Sequence, residues 1–338
     1  MASFSKFGND LYTGQVSVNF IGRRRVWYIL AAVLLAVSII VPTLRGGYVF
    51  GIEFTGGSQF QIDSVEALAN PDTNADAQNL ATDTVISVVA DADPKVTVVG
   101  TDSLRIQTEQ LEPSSSNEVR DALAGAFNVD NDQVAASFVG PSWGADITSS
   151  ALRALLVFIG LAAIMMAIYF RTWKMSIAAM IALLHDIVIT AGVYGIFGFE
   201  ITPSAVIGFL TILGFSLYDT VVVFDKIREN TSEDGAESRR TFAESVNLAV
   251  NQTLVRSINT GVVAALPVGA ILFIGAYVLG AGTLRDIALA LFIGIVVGTY
   301  STIFIAAPLY AQFRENEPDI LSRTKRLTAL RAVEKDSK

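Results

Sequence analysis

Asp219 is the residue whose position demands chemistry. It lies in the apolar run Ser216-Leu217-Tyr218-Asp219-Thr220-Val221-Val222-Val223-Phe224. A carboxylate inside a membrane span costs several kcal/mol unless it is paired, hydrated or protonated. At about 1.5 Å per residue, Asp219 sits about 9 Å from Asp225, where the span is expected to leave the membrane. Arg256 raises the same question. Its run begins near Asn251-Gln252, so by the same rise it lies about 6–8 Å from that edge. The two charges are opposite in sign, similar in depth and carried by neighbouring antiparallel spans. A contact is sterically feasible. The residues alone support two readings equally: a proton-binding carboxylate whose partner changes between states, or a static ion pair that locks two helices. Arg256 could also snorkel to water with no partner.

His185-Asp186 is the second pair able to hold or pass a proton. Asp186 lies about 16 Å in from Met175, near the midplane. A relay to Asp219, direct or through water, is one reading. A helix-locking hydrogen bond is the other, and geometry favours it, because adjacent helical residues point about 100° apart. Thr220, Asn259 and Thr260 are the polar neighbours of the two charges; Asn259 and Thr260 lie one turn from Arg256. Gly51-Ile52-Glu53-Phe54-Thr55-Gly56-Gly57 is glycine-rich but lacks the Lys and the spacing of a phosphate loop. It is expected to be a strand with a bulge. Gly294 and Gly298, four apart, predict a tight helix contact rather than chemistry.

These residues need spans to hold them. The chain has 338 residues, 52% hydrophobic and only 17% charged, with a mean hydropathy of +0.50. Apolar runs at Val26–Leu44, Ala151–Phe170, Met175–Phe199, Ile201–Phe224, Leu254–Leu279 and Ile287–Phe313 are each long enough to cross a bilayer. The first is not a cleavable signal, because Arg45-Gly46-Gly47-Tyr48 follows it instead of a small-residue cleavage site. Arg23, Arg24, Arg25, Arg171, Lys174, Lys226, Arg228, Arg239, Arg240 and the basic tail mark one side. By the positive-inside rule both termini are cytoplasmic. The two short outer loops fall around Glu200 and Gly280–Leu284.

The fold class is therefore a polytopic α-helical membrane protein, with six transmembrane helices and an α+β ferredoxin-like extracytoplasmic domain between helices 1 and 2. The expected order is a cytoplasmic segment 1–25, helix 26–44, outer domain 45–148, a five-helix part 149–313 and a cytoplasmic tail 314–338. A cytoplasmic loop at 225–252 reads as a connecting helix. Residues 46–147 carry 16 acidic and 3 basic residues, which disfavours nucleic acid as a partner. Within them, strands are expected at Gly51–Ile62, Lys95–Val99, Ser103–Thr108 and Gln133–Val139. Helices are expected at Asn79–Ala90 and Asn117–Phe127, the second capped by Ser114, Ser115 or Ser116. The order β-α-β-β-α-β is that of a split ferredoxin-like unit. Gly100-Thr101-Asp102 is the hairpin turn, and 64–78 reads as an inserted loop.

With no cysteine and one histidine, disulfides, thiolate metal sites and multi-histidine centres are excluded. No metal or cofactor site is expected. No cluster in the outer domain offers nucleophile, base and orienter together, so no enzyme is expected either.

Four stretches carry a family resemblance: Gly51 to Gly57; Leu184-His185-Asp186; Ser216 to Thr220 running on to Phe224-Asp225-Lys226-Ile227-Arg228-Glu229-Asn230; and Asn251-Gln252-Thr253-Leu254-Val255-Arg256-Ser257. Over roughly residues 20–312 the chain resembles the SecF side of the SecD/SecF family of the bacterial protein-export machinery, in the resistance–nodulation–division transporter superfamily. It departs from the family at Glu53, where Asp is usual, and at Tyr218, where Asn is frequent. The resemblance implies an accessory subunit that acts with SecD beside the SecYEG channel, with YajC-type subunits. It would use the proton motive force to promote translocation of unfolded preprotein across the bacterial cytoplasmic membrane. It places Asp219 and Arg256 on the family's proton-pathway positions, with His185 and Asp186 as further relay candidates. The alternatives are a translocon scaffold without proton coupling, and a half-size transporter of a lipid or small molecule.

Overall fold

The structure, a computed structural model, describes residues 2–63, 65, 73–99, 103–233, 240–275 and 282–336. The expected hairpin turn at 100–102, most of the inserted loop, and residues 280 and 281 of the second outer loop lie outside the described residues; the rest of that loop, from Gly282, is already helical. Within the described residues, six helices are long and apolar enough to cross a membrane, which makes this a multi-pass membrane protein. They are α2 (Arg24–Leu44), α6 (Pro141–Phe170), α7 (Trp173–Phe197), α8 (Pro203–Glu233), α9 (Phe242–Ala270) and α10 (Gly282–Ser301) with its continuation α11 (Ala307–Glu315). A helix α1 (Ala2–Thr13) precedes them and α12 (Pro318–Asp336) follows. α7, α8 and α10 form the centre. In the most apolar stretch of α7, 56% of residues are buried, against 11–17% in α2, α6 and α9.

Glycines set how closely the central helices approach. A Cβ on Gly208 would lie 2.6 Å from that of Ala290; one on Gly294 would overlap Ile212; one on Gly298 would lie 3.0 Å from that of Ser216. One turn further, Thr220 and Thr302 share a hydrogen bond across a separation of 82 residues. The pairs 208/290, 212/294, 216/298 and 220/302 advance together by fours, so α8 and α10 run parallel in a fixed register. Gly294 and Gly298 do serve close packing, as expected. On the other side, Gly192 of α7 lets Ser38 of α2 against its backbone.

The last span is not one regular helix. Between α10 and α11 it passes through a π-helical stretch, Thr302–Ala306, and α9 ends in another, Ile271–Gly275. Each widens the helix by a residue, a device frequent at functional sites. The stretch 225–252 is not one connecting helix. α8 runs on to Glu233 and α9 starts at Phe242, so the two spans enter it from either end. α9 is started by a capping box, in which the Thr241 hydroxyl accepts from the Glu244 amide and the Glu244 carboxylate from the Thr241 amide.

The α+β unit has a four-stranded antiparallel sheet, β1 (Gly57–Ile62), β2 (Lys95–Val99), β3 (Ser103–Thr108) and β4 (Val134–Val139), in the order β2-β3-β1-β4. Phe60 faces Ile106 on β3 and Ala136 on β4. Helices α4 (Asn74–Val88) and α5 (Pro113–Phe127) cover one face, where Phe60, Ile62, Leu104, Ile106, Val85, Val119 and Leu123 make the core. This is the β-α-β-β-α-β arrangement. Four local readings change. α4 begins at Asn74, five residues before the expected helix and inside the stretch read as an inserted loop. Residues 52–55 form a helical turn, α3 (Ile52–Thr55), not the start of β1. The turn to β1 is made by Gly56 and Gly57, both at positive φ (+74° and +132°), a conformation that suits glycine. α5 begins at Pro113, with Glu112 rather than a serine before it; proline suits the first helical position, where an amide would be unpaired anyway.

Candidate functional site

Helix periodicity decides which side chains meet in the bundle. On α8, Ser216, Asp219 and Thr220 fall at i, i+3 and i+4 and share one face. All three are buried, with Asp219 4% exposed. Asp219 reaches α9, but through Ser257 and not Arg256. The Ser257 hydroxyl donates to Asp219 Oδ1 at 2.8 Å. The other oxygen, Oδ2, is buried and has no hydrogen-bond partner among the described residues. The expected Asp219–Arg256 ion pair does not form. One residue is about 100° of helix rotation, so with Ser257 turned inward Arg256 is turned out and is exposed. Its charge remains within electrostatic range of the carboxylate.

His185 and Asp186 are buried on α7. Asp186 Oδ2 accepts a 2.6 Å hydrogen bond from Ser216 on α8. The neighbouring His185 Nδ1 lies 3.4 Å from Asp186 Oδ1. The ring faces Tyr300 on α10 with centroids 6.1 Å apart, and neither His185 Nε2 nor the Tyr300 hydroxyl has a partner among the described residues. Thr220 donates to the Ser216 carbonyl at 3.0 Å and meets Thr302, where the π-helical stretch begins. A polar band thus crosses four helices, from His185 and Asp186 through Ser216 and Thr220 to Thr302, with Asp219 and Ser257 beside it. Asn259 is exposed, and neither it nor Thr260 hydrogen-bonds to Arg256.

The band needs residues that sequence reasoning passed over: Ser216, Ser257, Tyr300 and Thr302. Hydroxyls four apart in an apolar run, as at Ser216 and Thr220, were the available signal. Ser257 differs from Arg256 by one position, and only the rotation of α9 tells them apart.

A second polar contact was not foreseen. It lies where the sheet meets the bundle. The face of the sheet opposite its core carries Gln59, Gln107 and Arg105, and it is not free. Glu200, in the short link between α7 and α8, accepts hydrogen bonds from both Arg105 and Gln107 of β3. Gln107 also donates to Gln59 at 3.1 Å. Beside it, Phe50 and Ile201 form a parallel bridge, with Gly51 N–H donating to Ile201 O at 3.0 Å and Ile201 N–H to Val49 O at 2.8 Å. Thr202 donates to Asp286 at 2.9 Å, tying this link to the start of α10.

Residues 118–316 match the family model described as "Protein export membrane protein SecD/SecF, C-terminal". The chain is 43% identical over 332 residues to the protein translocase subunit SecF of Streptomyces coelicolor, covering 98% of this chain and 86% of that one. It is 41% identical over 330 residues to SecF of Mycobacterium tuberculosis, covering 95% and 72%. Among solved structures, the crystal structure of SecDF from Thermus thermophilus, titled a translocon-associated membrane protein, superposes with a TM-score of 0.75 at 30% identity. That match covers 89% of this chain and 39% of the longer SecDF chain. With more than half the chain under the family model, and relatives this similar over nearly its whole length, the chain belongs to the SecD/SecF family of protein-export membrane proteins.

Proposed function

We propose that the chain is a SecF-type subunit of a protein translocase, which uses proton binding at Asp219 to promote export of unfolded preprotein. In this reading both termini are cytoplasmic, which the arginines and lysines at the span ends support, and the sheet domain is extracytoplasmic. The partner is a SecD subunit. Relatives named SecDF carry both names in one chain, as in Thermus thermophilus and Brucella abortus, and this chain matches only part of each. The six spans would then form half of a larger bundle beside the export channel.

The observation that carries the reading is the half-satisfied carboxylate of Asp219. One oxygen is held by Ser257 and the other is buried without a partner among the described residues. A fully paired carboxylate would be a lock; this one has an oxygen free to take a proton in an apolar setting. Gaining or losing that proton changes what Asp219 can hold, and Ser257 sits on a different helix from the rest of the polar band. One charge crossing 100 mV is worth about 2.3 kcal/mol, enough to bias a two-state arrangement of α8 and α9. Movement there reaches the sheet domain through Glu200 and the Phe50–Ile201 bridge.

Asp219→Asn tests this. It keeps the shape and removes the titration. Export of a reporter preprotein is followed in cells carrying the variant, alongside its membrane level and its co-purification with SecD. Slow export with normal assembly supports proton coupling through Asp219. Export at the wild-type rate removes it, and a scaffold role without coupling takes its place.

A further inference from the structure

A slot in the bundle is bounded at one end by Phe50 and Ile201, and the export reading makes no use of it. Its volume is about 370 Å³. Its floor is Ile187 of α7. α7 is a central helix, yet Ile187 is only partly buried, because α6 and α8 stand apart in front of it. Ala151 and Leu155 of α6 form one wall, and Val206 and Phe209 of α8 form the other. Phe50 and Phe54, from the link to the sheet, close the top. Leu152, 56% exposed, stands at the mouth. Among the described residues no charged side chain lines the slot. Its two hydroxyls are already satisfied, Thr55 donating to the Gly56 carbonyl at 3.0 Å and Thr148 to that of Gly144 at 2.9 Å.

Depth and chemistry narrow the occupant. Ala151 and Ile201 open the apolar runs of their spans. Ile187 lies about 18 Å in from Met175, past the midplane of a hydrocarbon core about 30 Å thick. The slot is therefore at acyl-chain depth, in the leaflet on the side of the sheet. A cavity with an apolar lining stays dry and takes apolar ligands, so water does not fill it. A partner helix is too wide, since one turn about 10 Å across and 5.4 Å high fills about 420 Å³ by itself. A single hydrocarbon chain is thin enough to pass between α6 and α8, and the bilayer offers one at that depth. We propose that the slot walled by Ala151, Leu155, Val206 and Phe209 binds one acyl chain of a phospholipid from that leaflet. Bound there, the chain touches Phe50 and Phe54, in the link that joins the sheet domain to the spans.

Photo-cross-linking from the acyl chain tests this. The full-length protein is reconstituted in phosphatidylethanolamine and phosphatidylglycerol vesicles. They carry a trace of phosphatidylethanolamine with a photoactivatable group near the middle of one chain. After irradiation, labelled residues are mapped by peptide mass spectrometry. Leu161 and Ile164 of α6, 63% and 59% exposed, report ordinary contact with the bilayer. The expected result is labelling of Ile187 as well as of these two. Ala151→Phe fills the slot, and Leu152→Trp narrows its mouth from an exposed position that tolerates the change. In each variant the label at Ile187 should fall about tenfold, while that at Leu161 and Ile164 stays as in the wild type. If Ala151→Phe does not fold, Leu152→Trp decides alone. An unlabelled Ile187 in the wild type overturns the proposal, and is the outcome if another helix covers the mouth. So does Ile187 label that persists in a folded variant, or a loss that Leu161 and Ile164 share equally.

Discussion

Arg105 of β3 and Glu200 of the α7–α8 link form an ion pair between the sheet and the helix bundle, across 95 positions of chain. Their side chains are only 15% and 11% exposed. Gln107 supplies a second donor to the same carboxylate. This contact and the Phe50–Ile201 bridge beside it give the sheet a defined seat on the membrane part.

Breaking that pair should loosen the seat without unfolding the sheet, whose core lies on the opposite face. Glu200→Ala is expected to cost about 2 kcal/mol, between the ranges for exposed and fully buried pairs. Hydrogen exchange should show faster opening at residues 49–51, with little change at Phe60 or Leu104. Arg105→Ala and Glu200→Ala should be strongly non-additive in combination. If they add to within about 0.5 kcal/mol, the two side chains are not coupled.

Ser257, not Arg256, is the partner of Asp219, and stability should report the difference. Ser257→Ala leaves a buried carboxylate with neither oxygen bonded, at a cost of about 1–3 kcal/mol. Arg256→Gln, at an exposed site, should stay within about 0.5 kcal/mol. Denaturant unfolding in mixed micelles ranks the two. The reverse order would restore the ion pair that the sequence suggested.

Gly294 is held against Ile212 of α8. Gly294→Ala is expected to destabilise by about 1–3 kcal/mol through overpacking. Ile212→Ala in the same chain should recover part of the loss by making room. A thermal scan of the single and double variants checks this, and a double variant no better than Gly294→Ala would mean that the contact is not where the cost arises.

Glu317, beyond the last span, receives hydrogen bonds from Arg314 and, at 2.9 Å, from Lys174. The Arg314 guanidinium, aided by Lys174, holds the carboxyl below its ordinary 4.5. Because the folded value is the lower one, the stabilisation is present above the ordinary value and is lost as pH falls through the folded value. Unfolding midpoints measured from pH 7 down to pH 3 should fall on the acid side in the wild type, and less so in Glu317→Gln. Parallel curves would show that Glu317 contributes nothing.

The six spans and the strand order were readable because both follow from local patterns: unbroken apolar runs, and alternation between turn residues. What meets what was not. Arg256 and Ser257 are adjacent in the chain, and a quarter turn of α9 decides which faces Asp219. No one-dimensional pattern records that rotation. Glu200 reads as a lone charge in a short loop, because its partners on β3 are brought to it only by the tertiary fold. Glu53 to Thr55 lie in a stretch that reads as strand, yet packing against the start of α6 winds them into a turn; there Gly144 leaves room for the Phe54 carbonyl, which would lie 2.7 Å from any Cβ.

The parallel register of α8 and α10 limits how this bundle can rearrange. Each small residue is matched to a larger one directly across, at 208/290, 212/294 and 216/298. A slide of one or two residues would drive bulky side chains into backbone. Only a displacement of a whole turn, about 6 Å at four residues, brings a new set of small positions opposite large ones. Axial motion between these two helices is therefore stepwise, like a ratchet with teeth four residues apart. Thr220 and Thr302 sit at the last tooth, where the π-helical stretch begins.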